Sequence, residues 1–506
     1  MVYYNKKKRR RFITWFTLIV ICGLVSMPLF YNLGLQPVRL WDEARRAFNA
    51  LAMMDGGSWL VTHFRGEPDM WGTKPPLFIW LQALSMSAFG VNTFALRLPS
   101  ALAGLFTAIA MLYFANRFTN NRWYGVMAAI ILVTSSGYLS RHIARTGDFD
   151  SLLTLFMFLY AMYFYKVLHV DRAVKRGKSI WLMVLFFTLA VLTKGIAGML
   201  FAPGLVIYLF TTRSYRKLFF NQNFYFALLV SVAIITGFYF WREQLNPGYL
   251  KAVWQNEIGG RYTQSLEGHD QPWWFFVKGL VKERFSYWWV YIIPAFLGAW
   301  YFRERKLMRF LLFGGILVVS FLTIISFSQT KLMWYDAPLY PLLSIFSAIG
   351  IMYILYLLQY VPQYLFKVGY RSHITGLLLS AVALFFLLKY PVHDTLSRIK
   401  QDDMEPWHQE WYALGHFIQH ANYPEQRLRG FCLLEEGYQP QNWFYLEQLK
   451  RRHEVVIPHC DWEDLHRSSK VIVIQSNLKV QLKRRYRVKL LETYPPLEMY
   501  QVISKR

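Results

Sequence analysis

The sequence predicts a mostly α-helical, polytopic membrane protein that carries a small α/β domain at its C-terminal end. Three observations lead there. Of 506 residues, 55% are hydrophobic and 18% aromatic, and mean hydropathy is positive, a composition rare in soluble chains of this size. Long apolar runs recur from the first residues to about Tyr390, as spanning helices require. Beyond Tyr390 the pattern turns polar. Helical periods appear near Trp407–His420 and Gln441–Arg452, and strand-like runs at Gly430–Leu434, Val471–Ile474 and Leu497–Ile503. Residues 1–390 thus read as a transmembrane domain and 391–506 as a soluble α/β domain.

At the N-terminal end, KKKRRR at residues 6–11 precedes an apolar run from about Phe12 to Tyr31. No small-residue cleavage site follows it, so an uncleaved anchor with a cytoplasmic N-terminus is expected. The next apolar segment, Leu77–Phe89, is shorter than the roughly 20 residues a crossing needs. Later runs fall at approximately 94–116, 123–139, 150–168, 180–194, 196–212, 222–241, 286–302, 308–327, 335–358 and 372–390. Counting the first run, about eleven crossings are expected, eleven to thirteen over the ambiguous segments.

Charge fixes the orientation. With Leu77–Phe89 lying at the surface as a juxtamembrane helix, the inner loops carry Arg117 and Arg122, the cluster from Lys166 to Lys178, and Arg213, Arg216 and Lys217. Further inner clusters are Arg303, Arg305, Lys306 and Arg309, and then Lys367 and Arg371. Counting that segment as a span puts all of them on the wrong side. The same loops absorb much of the formal net charge of +26, and no nucleic-acid-binding pattern accompanies it, which argues against that partner. With an odd number of crossings the tail lies outside. Of three cysteines, Cys22 sits in the first span, while Cys432 and Cys460 can pair if the tail is exported.

Four groups of polar residues then share the outer face. The stretch Arg39–Pro76 supplies Asp42, Glu43, Arg45 and Lys74. The segment Arg141–Asp150 adds Arg145, Asp148 and Asp150. The loop 242–285 brings Glu257, Arg261 and His269 beside Trp273, Trp274, Phe275 and Phe276. Ser328–Tyr340 contributes Lys331, Tyr335, Asp336 and Tyr340. Ionisable groups beside hydrocarbon are costly, so four such groups on one face favour a polar cavity. Acids that take a proton and lysines that hold an anion suit transfer to or from a phosphate-bearing lipid. Plainer roles compete. Glu43 can cap its helix or pair with Arg46, Arg141 and Arg145 can snorkel to headgroups, and Asp336 can pair with Lys331. A lone His269 is more often a hydrogen-bonding residue than a metal ligand, and the tryptophans suit an interfacial belt.

In order along residues 10–350, WDEARRAFNA, GSWLV, TKPPLFIWLQAL, FGVNTFALRLPSAL, RTGDFDSLLTLF, LTKGIAGMLFAPG, NEIGGRYTQSLEGHDQPWWFF and TKLMWYDAPLYPLLSI resemble membrane glycosyltransferases of the GT-C class. The likeness is to family 39, with its protein O-mannosyltransferases and ArnT-like aminoarabinose transferases. That resemblance implies an enzyme taking sugar from a polyprenyl-phosphate carrier. The acceptor, a lipid A, protein or envelope glycan, lies on the extracytoplasmic face of a plasma or inner membrane. It also implies Asp42 as general base, with Glu43 beside it, and Lys74 on the carrier phosphate, assisted by Lys331 and Arg45. Asp148, Asp150, Arg145, Glu257, Arg261, His269, Tyr335 and Tyr340 would bind substrate. Some relatives place an acid just before the lysine of KPP, where this chain has Thr73. The residues name no certain cofactor and leave a divalent metal open. The rival class is a lipid-linked sugar flippase, but no internal repeat of the kind transporters show is visible.

Overall fold

The computed structural model describes residues 19, 21–140, 142–260, 268, 270–365, 370–400 and 409–506. Among them, seven helices are long and apolar enough to cross a bilayer: Thr93–Thr119, Asp150–His169, Val174–Met199, Gln222–Leu245, Arg305–Phe327, Met333–Leu365 and Ser372–Lys400. The four other runs expected to cross are shorter helices, Ile21–Phe30 (α1), Arg122–Val133, Ala202–Thr211 and Trp289–Tyr301. Local chemistry explains two of the truncations. Thr134 and Ser135 turn their hydroxyls back onto the carbonyls of Ile130 and Ile131, which competes with helix propagation. At Gly195, φ +59, the α-helical part of Val174–Met199 gives way to a 3-10 turn over Gly195–Met199, and only then does the short helix Ala202–Thr211 begin.

The polar stretch after α1 and the apolar segment that follows it build two helices, α2 (Asp42–Met54) and α3 (Leu77–Phe89). Acidic Asp42 and Glu43 stand in the first turn of α2, where the helix dipole favours negative charge. At 1.5 Å per residue α3 is only about 20 Å long, too short for a hydrocarbon core of about 30 Å. Between α2 and α3 a small hairpin pairs β1 (His63–Phe64) with β2 (Glu67–Pro68).

The C-terminal part forms a four-stranded sheet in the order β3-β4-β6-β5. Strands β3 (Phe431–Leu434) and β4 (Lys470–Val473) run parallel, while β6 (Leu497–Lys505) is antiparallel to β4 and to β5 (Tyr486–Tyr494). A disulfide joins Cys432 to Cys460. This part shares one buried cluster with the stretch around α2 and α3, in which Val38, Ala47 and Phe78 meet Leu414, Phe417 and Tyr445. The Val38 N–H donates to the Tyr445 hydroxyl at 2.9 Å and the Leu40 N–H to the Tyr412 hydroxyl at 3.2 Å. The sheet domain therefore sits directly on the loop that carries Asp42.

Candidate active site

The site begins with a bracket. Arg97, alone in an apolar stretch of its helix, needs a buried counter-charge, and Glu43 provides it. Glu43 is fully buried and accepts from Arg97 Nε at 2.7 Å and Nη2 at 2.9 Å, from the Arg39 N–H at 2.8 Å and from the Gly147 N–H at 2.6 Å. Burial opposes its charge, but Arg97 and these amides outweigh it and hold the carboxyl below the usual range. A Cβ at position 147 would stand 2.8 Å from Gln82 Nε2 and 3.3 Å from Glu43 Cγ, so only glycine lets this loop come so close. The bracket locks α2 against the loop before Asp150, and so brings Asp42 beside Asp148.

There the carboxylates share a cation. Asp42, 39% exposed, lies 3.2 Å from Arg46 Nη2, and buried Asp148 touches the same guanidinium through Nη1. His142 Nδ1 is 3.2 Å from Asp148 and 3.9 Å from Asp42, and its ring stacks on Trp334 with centroids 3.6 Å apart. Desolvation pushes the His142 pKa down to about 4, against the pull of Asp42, so the imidazole is neutral at physiological pH. Asp42, His142 and Asp148 offer ligand atoms within 4.8 Å of one another, a donor set that a divalent cation accepts. Arg46 already contacts both carboxylates, an internal cation that offsets one of their two charges.

A second ion pair folds the turn before Lys74. Arg45 holds Asp69 with Nε at 2.9 Å and Nη2 at 2.7 Å, and Asp69 also accepts from Asn49 and from the N–H groups of Trp71 and Gly72. Burial raises the Asp69 pKa less than Arg45 and these donors lower it. The turn delivers Lys74 ahead of Pro75 and Pro76, and its Nζ donates to Glu257 Oε1 at 2.9 Å. Thr73 donates to the same oxygen at 2.8 Å. Where the stretch before Lys74 lacks an acid, the later segment Trp254–Ile258 supplies Glu257.

Two hollows meet at this point. A largely apolar cavity of about 410 Å³ lies between Leu200, Phe321 and Ile325, with Lys74, Lys194, Asp150, Glu257 and Tyr335 in its wall. A smaller pocket of about 50 Å³ is lined by Asp42, Arg45, Arg46, Asn49 and Asp69. Lys74, Lys194 and Tyr335 belong to both walls. Lys194 donates to Asp150 at 2.5 Å, and its Nζ stands 5.4 Å from the centre of the Tyr335 ring. The arrangement can hold an anion between two ammonium groups, with an apolar tail on one side and carboxylates on the other.

Residues 73–241 match the Dolichyl-phosphate-mannose-protein mannosyltransferase family, PMT_2. One relative, an uncharacterized protein of Aquifex aeolicus, is 26% identical over 66% of this chain and 63% of its own length. The undecaprenyl phosphate-alpha-4-amino-4-deoxy-L-arabinose arabinosyl transferase of Pseudomonas savastanoi is 29% identical over 62% and 58%. The chain thus spans less than two thirds of the length of these relatives. ArnT from Cupriavidus metallidurans, in its complex with undecaprenyl phosphate, matches over 96% of this chain and 97% of that one, with a TM-score of 0.68 and 16% identity. The chain has an ArnT-like fold. The archaeal oligosaccharyltransferase AglB from Archaeoglobus fulgidus shares the fold more distantly, with a TM-score of 0.51 and 13% identity over 96% of this chain and 74% of that one.

Within this ArnT-like fold, Asp42, Arg45, Lys74, Asp150, Glu257 and Tyr335 line the two hollows, and Asp148 stands directly behind Asp42. Four expected residues do not. Glu43 is the structural bracket, paired with Arg97 and not Arg46. Arg145 staples α1, donating to the Pro28 carbonyl at 2.6 Å and to that of Tyr31 at 3.0 Å. Lys331 stands beside the large cavity with its ammonium on the Ser328 carbonyl at 2.6 Å. Tyr340 is fully buried against Tyr138 and Phe285. Asp336 pairs with Arg284 at 2.7 Å, not with Lys331. Arg141, Arg261 and His269 lie outside the described residues. Sequence reasoning missed Lys194, Arg46, His142 and Asp69; of these, Lys194 carried a signal, an ionisable group inside an apolar run.

Proposed function

We propose that this chain is an integral-membrane glycosyltransferase that moves a sugar from a polyprenyl-phosphate carrier to an acceptor on the extracytoplasmic side. The observation that carries the reading is the pair of ammonium groups, Lys74 and Lys194, set where an apolar cavity meets an acid-lined pocket. The polyprenyl tail occupies the cavity, the phosphate lies against the lysines, and the sugar enters the pocket toward Asp42. Asp42 takes the proton as an acceptor hydroxyl attacks the anomeric carbon. The bond from that carbon to the phosphate oxygen breaks, its electron pair leaves on polyprenyl phosphate, and the configuration inverts. Lys74 and Lys194 stabilise the charge that grows on the leaving oxygen, while Arg45 and Arg46 keep the flanking carboxylates in place. About eleven crossings divide the chain into a membrane domain, 1–390, and an extracytoplasmic domain, 391–506. The disulfide Cys432–Cys460 in that second part supports its exposure to an oxidising compartment, and it packs on the face that bears Asp42.

The test is turnover of undecaprenyl-phosphate sugars by the purified protein, followed by mass spectrometry of lipid and acceptor. Asp42→Asn is expected to lower transfer by about 10²–10⁴-fold while thermal stability holds; near-normal turnover in that variant would refute the assignment. A flippase relocates the lipid and leaves its glycosidic bond intact, so an unbroken donor across all acceptors sinks the enzyme reading.

A further inference from the structure

A third hollow lies at the far end of the long helices, away from the two beside Asp42. The helix Thr93–Thr119 meets the Glu43 bracket at Arg97 and ends at Thr119, roughly 33 Å further along at 1.5 Å per residue. There a cavity of about 420 Å³ opens between Asn121, Tyr124, Phe302, Glu304, Tyr353 and Tyr356. Phe302 stacks on Tyr353 with centroids 5.6 Å apart and planes 15° apart, and it stands edge-on to Tyr356 at 5.8 Å. A Cβ at position 298 would come 2.5 Å from the Tyr353 ring, so glycine there lets the ring seat against the neighbouring helix.

Glu304 singles this hollow out. It holds the N-cap position of the helix Arg305–Phe327, yet its carboxylate makes no capping hydrogen bond. Among the described residues it belongs to no ion pair within 4 Å. Its charge bears instead on the hydroxyls of Tyr124, Tyr353 and Tyr356. Tyr353 is only 6% exposed, and its hydroxyl meets no described group in good hydrogen-bond geometry. A carboxylate left uncompensated among aromatic faces attracts an organic ammonium ion, through the acid's charge and the quadrupoles of the rings together. The rim narrows the source of that ion. Trp123, Trp300 and Tyr301 are exposed around the same helix ends, as rings at a membrane interface are. Arg303 and Arg305 stand exposed on either side of Glu304. An ammonium inside and a phosphate at the rim match the headgroup of a membrane lipid.

We propose that this hollow seats the ammonium end of a zwitterionic phospholipid, with its phosphate at Arg303 and Arg305 and its chains along the exposed rings. The site is separate from the hollows beside Asp42 and does not depend on the glycosyltransferase reading. Bound there, the lipid ties the turn at Phe302 to the ends of the helices Arg122–Val133 and Met333–Leu365.

Native mass spectrometry of the full-length protein in detergent counts the lipids it retains. The probes are dioleoyl phosphatidylethanolamine, dioleoyl phosphatidylglycerol and free phosphoethanolamine. The ethanolamine lipid is expected to bind about tenfold tighter than the glycerol lipid, whose headgroup carries no cation. Glu304→Gln and Tyr356→Ala should each abolish that preference while affinity for undecaprenyl phosphate stays unchanged. Tyr356 is 44% exposed, so its truncation tests the rings even where the glutamine variant folds poorly. Equal retention of the two lipids by the unmodified protein overturns the proposal, as does a normal preference in both variants. A preference lost only together with undecaprenyl phosphate binding overturns a separate site. Free phosphoethanolamine that binds as tightly as its lipid makes this a site for soluble amines and overturns the lipid assignment.

Discussion

The bracket beneath α2 and the wall of the large cavity are both made of acid–base pairs, and they differ in how completely each pair is closed. Glu43 and Arg97 are 0% and 1% exposed, and the oxygens of Glu43 take hydrogen bonds from three segments of chain. Lys74 and Glu257 keep 14% and 11% of their side-chain surface open, and both line the cavity. A closed pair inside protein serves architecture, because nothing can reach it and its loss strands a charge. An open pair facing a cavity can exchange one partner for a ligand. Similar residues thus hold the fold in one place and face a cavity in another.

Breaking the bracket should have the largest effect. Glu43→Gln leaves Arg97 buried without a counter-charge, a loss of about 3–5 kcal/mol, read as a fall in apparent Tm in detergent, whereas cavity-wall variants should unfold near the unmodified protein. The pH dependence has a definite sign. Because the folded state holds Glu43 below its ordinary value of 4.5, its contribution is complete above that value and is lost as pH falls through the folded pKa. An acid scan should therefore show the gap between the unmodified protein and Glu43→Gln narrowing below about pH 4.5. Opening the other pair should act on binding. Lys74→Ala is expected to weaken undecaprenyl phosphate by roughly 10–100-fold, the worth of a charged hydrogen bond, with the Tm little changed; equal affinity would move the phosphate elsewhere.

Ionisable residues stand out against apolar runs, so the polar stretch that carries Asp42 and Lys74 is legible in the sequence. The sequence cannot separate Asp42 from Glu43. Adjacent residues on a helix point about 100° apart, so one carboxylate faces the pocket while its neighbour turns into the core. The partner that claims Glu43 lies 54 positions away, beyond any local pattern. Lys194 stands between two short apolar runs, and the glycine after it marks the end of an α-helix. In the tail, β5 has an exposed, irregular burial pattern with two register shifts, and an edge strand of that kind leaves no clear alternation to read.

The finest distinction concerns Glu257. Its carboxylate binds both Lys74 and the Thr73 hydroxyl, next to the place assigned to the donor phosphate, so an incoming anion competes with it. Glu257→Gln keeps an oxygen that can accept from Thr73 and removes the charge. If the pair is an exchangeable one, the substitution should tighten undecaprenyl phosphate by roughly 3–10-fold, about 0.6–1.4 kcal/mol, measured by titration in nanodiscs. If it is a closed architectural pair like Glu43–Arg97, the same change should cost stability and leave phosphate affinity flat or weaker. The direction of that shift decides whether exposure of a tenth of the side chain is enough to turn a structural contact into a substrate contact.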